Sequence, residues 1–173
     1  TKAELQQRLG LRRRSSPLLL CAGPFAQEDN LEELLAHGEE LLSRKLQLVF
    51  AGVADDTRRA ELKRFAAGKR ERVAIVGDAH FDDELWHTLL GAADGLLLLR
   101  DTPERRLQLL RGLRYGVVPI VSAPGALAER VVDFDVISRT GTGFRFAEND
   151  TQGLLDAIRR FCETLAEASP RAA

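Results

Sequence analysis

The sequence predicts an α/β fold, a doubly wound, Rossmann-like parallel sheet of about six strands, and two observations carry that reading. Runs of strand length such as "PLLLCAG", "LQLVFAG" and "GLLLL" are apolar at consecutive positions, as strands buried on both faces require. Between most of these runs lies a longer stretch whose apolar residues recur at helical spacing, the alternation expected of a sheet built from right-handed crossovers. No internal repeat or low-complexity segment competes with it. In such a fold, ligands bind at the carboxyl ends of the strands, beside helix N-termini.

Each element follows in order. "KAELQQRLG" is a short helix closed by Gly10, and "RRRSSP" links it to the sheet. The first strand is Leu18 to Ala22. "DNLEELLAHGEELLSR" reads as a helix, with Leu31, Leu34, Leu35, Leu41 and Leu42 as its apolar stripe and Asp29 or Asn30 as N-cap. "LQLVFAG" is the second strand, ending at Gly52. "DDTRRAELKRFAAG" is a helix capped at Asp55 or Asp56 and closed by Gly68. "RVAIVG" and "FDDELWHTLLGAA" are the third strand and its helix. "GLLLL" is the fourth strand, and the helix of "DTPERRLQLLRGLRYG" follows it. "VPIV" is the fifth strand, and "PGALAERVV" a short helix with Pro124 near its start. "DVIS" and "GFRF" read as a short sixth strand and a hairpin-like piece around "RTGTG". "DTQGLLDAIRRFCETLAEA" is the long final helix. One domain spans residues 1–168, and residues 169–173 form a tail expected to fray.

Composition narrows the class. The 173 residues suffice for one domain with a full core. A net charge of −1 supplies no general field for nucleic acid or an anionic membrane, so neither is expected as a partner. Apolar runs such as Gly95 to Leu99 are far too short to cross a bilayer. Cys21 and Cys162 lie far apart without metal-ligand spacing and read as buried, reduced thiols of a cytoplasmic protein. No metal site and no cofactor is expected. The chain has no Met and begins at Thr1, which reads as an excised domain or a processed chain.

The order of motifs carries a resemblance. Lys2 to Leu11 has the pattern K-x-x-L-Q-x-x-L-G-L, and "LVFAGVAD", "RVAIVGDAHFDDELWHTLLGAAD", "LRYGVVPIV", "GALAERVVD" and "GTGF" follow in sequence. Across nearly the whole chain this resembles the C-terminal domain of bacterial glycogen (starch) synthases, which are two-domain GT-B glycosyltransferases. "RYG-x-VP" followed by "GTGF" is the most specific part. The resemblance implies an enzyme that moves glucose from ADP-glucose, or UDP-glucose, to the non-reducing end of an α-1,4-glucan. In the family this domain supplies most of the nucleotide-sugar site, and a missing N-terminal domain supplies most of the glucan surface. This half alone is expected to be inactive, since it cannot close a cleft over both substrates.

The family's site turns depart from their pattern here. A leaving diphosphate calls for cations, helix N-terminal amides and glycines that let the backbone approach. The family's first turn, like S-R-L-x-x-Q-K-G, aligns with Gly23 to Asn30, so that Pro24 stands at the Arg and Asp29 at the Lys. Two cations are lost and one anion is gained. The second turn, G-x-G-D in the family, is Gly52, Val53, Ala54, Asp55. In the third, "HFDDELWH" resembles G-Y-D-E-x-L-A-H, so Phe81 stands for the Tyr near the nucleobase and His87 for the family's His; each reads equally as an ordinary aromatic or helix-face residue. The fourth turn is R-F-E-P-C-G-L in the family, with the Glu touching the transferred sugar and the Cys-Gly backbone holding the donor. Counting back from "RYG", Pro103 falls at the Glu, Glu104 at the Pro, Arg105 at the Cys, Arg106 at the Gly, and Leu107 is kept. A one-residue shift would put Glu104 at the catalytic position, but Arg105 and Arg106 would still crowd the amides. The fifth turn, T-G-G, is Pro124, Gly125, Ala126.

No catalytic residue is therefore assigned, with Glu104 the sole alternative. The vestigial donor positions are Gly23, Phe81, Thr102, Arg105, Arg106, Leu107 and Gly125. The leading expectation is a degenerate module in which ADP-glucose or another nucleotide sugar binds weakly or not at all, an α-glucan remaining a possible ligand. The alternative is an active donor half whose phosphate site is rebuilt from Arg105 and Arg106. An unrelated dinucleotide-binding domain is disfavoured, because "CAGPFA" after the first strand lacks G-x-G-x-x-G.

Overall fold

The computed structural model of the protein describes residues 1–26, 29–77 and 82–168. Six parallel strands form one sheet: β1 (Leu18–Ala22), β2 (Gln47–Ala51), β3 (Val73–Val76), β4 (Gly95–Leu98), β5 (Val118–Ala123) and β6 (Phe144–Ala147). Their spatial order is β3-β2-β1-β4-β5-β6, the doubly wound order expected for a Rossmann-like sheet. Register is fixed by pairs such as Leu20 with Val49 on one side of β1 and Leu20 with Leu96 on the other.

Alternation along the strands sorts the core into two layers. Leu19, Cys21, Leu48, Phe50, Leu97 and Ile120 face one layer, covered by α2 (Leu31–Ala36), α3 (Gly38–Leu42), α4 (Asp56–Ala66) and α8 (Thr151–Ala168). Leu18, Leu20, Val49, Leu96, Leu98 and Val121 face the other, covered by α1 (Lys2–Arg8), α5 (Asp83–Ala92), α6 (Pro103–Arg114) and α7 (Ala126–Glu129). Strands apolar on both faces are thus the direct product of helices on both faces. Only β6, at an edge, alternates buried and exposed residues. Among the described residues no helix is long and apolar enough to cross a membrane. Both cysteines are free and buried.

Two expectations are corrected, and one open choice between N-cap residues is settled. "DNLEELLAHGEELLSR" is two short helices broken at His37. Gly38 packs where a Cβ would lie 1.9 Å from the Phe65 ring, so the chain bends closely against α4. Asn30, not Asp29, takes the N-cap of α2, and its side chain makes no capping bond. "DVIS" is no strand; an isolated antiparallel bridge from Asp135 to Thr140 closes a turn there, and "GFRF" supplies β6. The expected tail, residues 169–173, lies outside the described residues.

Candidate functional site

β1 and β4 are neighbours, yet the chain leaves β1 toward α2 on one face and β4 toward α6 on the other. The strand order reverses here, and in this fold such a point opens a ligand crevice at the strands' carboxyl ends. The first turn lies on one side of it and the start of α6 on the other.

α6 begins by ordinary rules. Thr102 is the N-cap, and its Oγ1 accepts the Arg105 N–H at 3.3 Å; Pro103 follows at the first helical position. Side chains on a helix lean toward its N-terminus, so Arg105 reaches back across the crevice. Its guanidinium donates to both carboxylate oxygens of Asp29 at 2.7 Å. It also donates to the carbonyls of Pro24 at 2.9 Å and Ala22 at 3.3 Å. The Asp29 carboxylate in turn accepts the Ala26 N–H at 3.0 Å. The Arg105 and Asp29 side chains are only 1% and 2% exposed. Beside them, Gln108 Nε2 donates to the Gly23 carbonyl at 2.8 Å. The first turn is therefore bolted to α6 through a buried, bidentate ion pair. Burial beside this pair pushes the Cys21 thiol up to about 12.

A second clasp lies at the next turn. Asp101 accepts the Ala126 N–H on one carboxylate oxygen and the Arg106 Nε–H on the other, each at 2.6 Å. The hydrogen bond from Arg106 is the main cause holding the Asp101 carboxyl below its ordinary value, and the amides of Ala126 and Leu127 add to it. Gly125 has φ +146, and a Cβ there would lie 2.4 Å from the Asp101 carboxylate. Glycine is what admits this carboxylate to the start of α7.

The structure brings Gly23, Thr102, Arg105, Arg106 and Gly125 together around the crevice. Arg105 departs from expectation: its side chain turns inward to Asp29 instead of crowding the amides of its own helix. Leu107 is exposed on α6, and Glu104 is exposed in its first turn. Phe81 lies outside the described residues. His87 is an exposed helix-face residue whose Nδ1 is 2.7 Å from the Tyr115 hydroxyl. Gly52, at φ +135, packs against the Gly23 backbone, where a Cβ would come within 2.8 Å of its Cα. Sequence reasoning missed the partners, Asp29 for Arg105 and Asp101 for Arg106. A signal for the first was present: an anion gained in one turn and a cation gained in another, at turns the fold brings face to face. Among the described residues no group of three His, Cys, Asp or Glu side chains is placed to hold a metal.

Residues 16–164 match the family Glycosyl transferases group 1. The chain belongs to the group 1 glycosyl transferases. This glycosyl transferase domain is 37% identical over 164 residues to the glycogen synthase of Anaeromyxobacter sp. (strain Fw109-5), covering 94% of the chain and 34% of that enzyme. It is 38% identical over 161 residues to the glycogen synthase of Anaeromyxobacter dehalogenans (strain 2CP-C), covering 92% and 33%. It spans about a third of these relatives, corresponding to their C-terminal part. Its fold matches the catalytic domain of starch synthase IV from Arabidopsis thaliana bound to ADP and acarbose, with TM-score 0.76 and 22% identity over 94% of the chain and 34% of that structure. It also matches Anabaena Alr3699/HepE in complex with UDP-glucose, with TM-score 0.69 and 17% identity over 96% of the chain and 44% of that structure. The GT-B half is thereby placed, and the domain is glycogen- and starch-synthase-like.

Proposed function

We propose that this glycosyl transferase domain is a degenerate donor half, whose nucleotide-sugar cradle is closed by its own side chains. The relatives' enzyme class transfers a glucosyl group from a nucleotide sugar such as ADP-glucose to an α-glucan, and developing charge on the departing diphosphate must be stabilised. The supporting observation is the buried Arg105–Asp29 pair across the crevice. Breaking such a pair costs about 3–5 kcal/mol, more than about a hundredfold in affinity. Admitting the diphosphate would also bring it against the Asp29 carboxylate. At the neighbouring turn, Asp101 holds the Ala126 amide, so an internal anion stands where the resemblance implies donor contacts. Both arginines of the fourth turn are engaged with carboxylates, and no residue of this chain is assigned a catalytic role.

On this reading the domain works in the cytoplasm by packing against an N-terminal GT-B half or by weak contact with an α-glucan. In a thermal-shift titration, millimolar ADP-glucose or UDP-glucose leaves the melting temperature of the chain unchanged. The competing reading, a phosphate site rebuilt on Arg105 and Arg106, draws on the half-exposed Arg106 side chain. It requires a saturable rise in melting temperature that Arg106→Gln abolishes.

A further inference from the structure

The other edge of the sheet, where the strands begin, holds a cleft of about 790 Å³ lined by Arg14, Arg44, Lys45, Ser16, Asp94 and Cys162, among others. It is remote from the crevice and owes nothing to the donor reading. Its volume falls in the range of small-molecule sites. The "RRRSSP" linker reaches it from one side, the residues just before β2 from another, and the last turns of α8 from a third.

Its charge is unbalanced. Asp94 is neutralised by Lys2, whose Nζ also donates to the Ser16 carbonyl, and the Asp94 carboxylate accepts the Leu18 N–H at 2.7 Å. Arg14, Arg44 and Lys45 have no ion-pair partner among the described residues. A fourth cation lies close: Arg72 donates to the carbonyls of Leu42 and Leu46. Burial, and next the nearby Arg14 charge, hold its pKa below the ordinary value. Glu39 offsets part of that repulsion at Arg72. Cations drawn together repel one another, and an anion between them relieves that cost. Ser16 adds a second observation: its hydroxyl oxygen is buried and without a hydrogen-bond partner among the described residues. An orphaned buried hydroxyl carries a desolvation cost that a ligand oxygen removes.

The remaining walls are apolar. Pro17, Leu165 and Ala166 line the cleft beside Cys162, whose thiol is kept neutral by burial, with its pKa pushed up to about 11. A cationic mouth against an apolar wall fits an anion that carries a carbon body better than a bare ion. We propose that this cleft binds a phosphomonoester, with its phosphoryl group held by Arg14, Arg44, Lys45 and the Ser16 hydroxyl and its carbon body on the Pro17–Leu165–Ala166 wall. The site is distinct from the donor crevice and unconnected to its closure.

Titration calorimetry of the 173-residue chain with phenyl phosphate, inorganic phosphate and phenol tests it. Phenyl phosphate binds saturably, inorganic phosphate binds more weakly, and phenol does not bind. Arg44→Gln combined with Lys45→Asn weakens phenyl phosphate at least about tenfold, since two charge-assisted hydrogen bonds are removed. Asn suits position 45 because Lys45 has φ +55, where Asn is well tolerated. Arg13→Gln removes the same kind of charge from the linker without touching the lining and leaves binding unchanged. Circular dichroism confirms that each variant is folded; should the double variant unfold, Arg14→Gln alone supplies the same readout. Absence of phenyl phosphate binding overturns the proposal, as does binding that survives loss of these cations. Equal affinity for inorganic phosphate overturns the assignment of a carbon-bearing ligand.

Discussion

The Arg105 side chain, at the third helical position of α6, makes four hydrogen bonds, all of them inside the protein. A guanidinium and a carboxylate at 1% and 2% exposure are stable only together. Arg105→Ala or Asp29→Ala is therefore expected to lower the unfolding free energy by about 3–5 kcal/mol in urea denaturation, by leaving a buried charge without its partner. Asp29→Leu with Arg105→Met costs less than either single change, because nothing charged remains buried. A double variant that loses the sum of the singles would show the pair to be uncoupled. At this scale the sequence was half legible. It marked Asp29 and Arg105 as departures from a resembled pattern, but local rules gave each a bland role, helix cap and crowding side chain. Their pairing spans 76 positions and appears only when the sheet brings the turns together.

The elements were the most legible level, since consecutive apolar residues and helical spacing both follow from burial on two faces. The failures have physical reasons. The two short helices meet at His37 where Gly38 approaches Phe65 closely, a contact between distant segments that periodicity cannot display. "DVIS" carries strand-forming residues, but Val136 and Ile137 are exposed, 57% and 95%, so burial gave them no reason to pair. The turn between β4 and α6 makes its own prediction through Asp101. Its folded-state carboxyl lies below the ordinary 3.8, so its contribution to stability is present above that value and lost as pH falls through the folded one. Wild type and Asp101→Asn, compared by urea denaturation against pH, are expected to differ near neutrality and to converge in acid. A gap that persists unchanged below the carboxylate range would show that the carboxylate charge does not matter.

For the whole molecule, a doubly wound parallel sheet of about six strands followed from pattern and handedness, and the order β3-β2-β1-β4-β5-β6 agrees with it. The state of the crevice did not follow, because a turn's departure from a pattern does not say what fills the space. Burial of both thiols makes the fold's stability depend on pH in the alkaline range. Cys21 is raised from 9.0 to about 12 and Cys162 from 9.0 to about 11. Above the ordinary value the unfolded chain releases protons that the folded chain retains, so stability is full below about pH 9 and declines as pH rises. The Cys21→Ala, Cys162→Ala double variant is expected to show a shallower alkaline decline in urea denaturation. In the closed crevice the Arg105 guanidinium belongs to Asp29 and not to a donor diphosphate. The decisive experiment follows the Arg105 Nε–H resonance in nitrogen-15 NMR while ADP is added to millimolar concentration. The expected result is a sharp, slowly exchanging signal that does not move. A saturable shift of that resonance with ADP, with loss of its exchange protection, would contradict the account and restore the crevice as a working donor site.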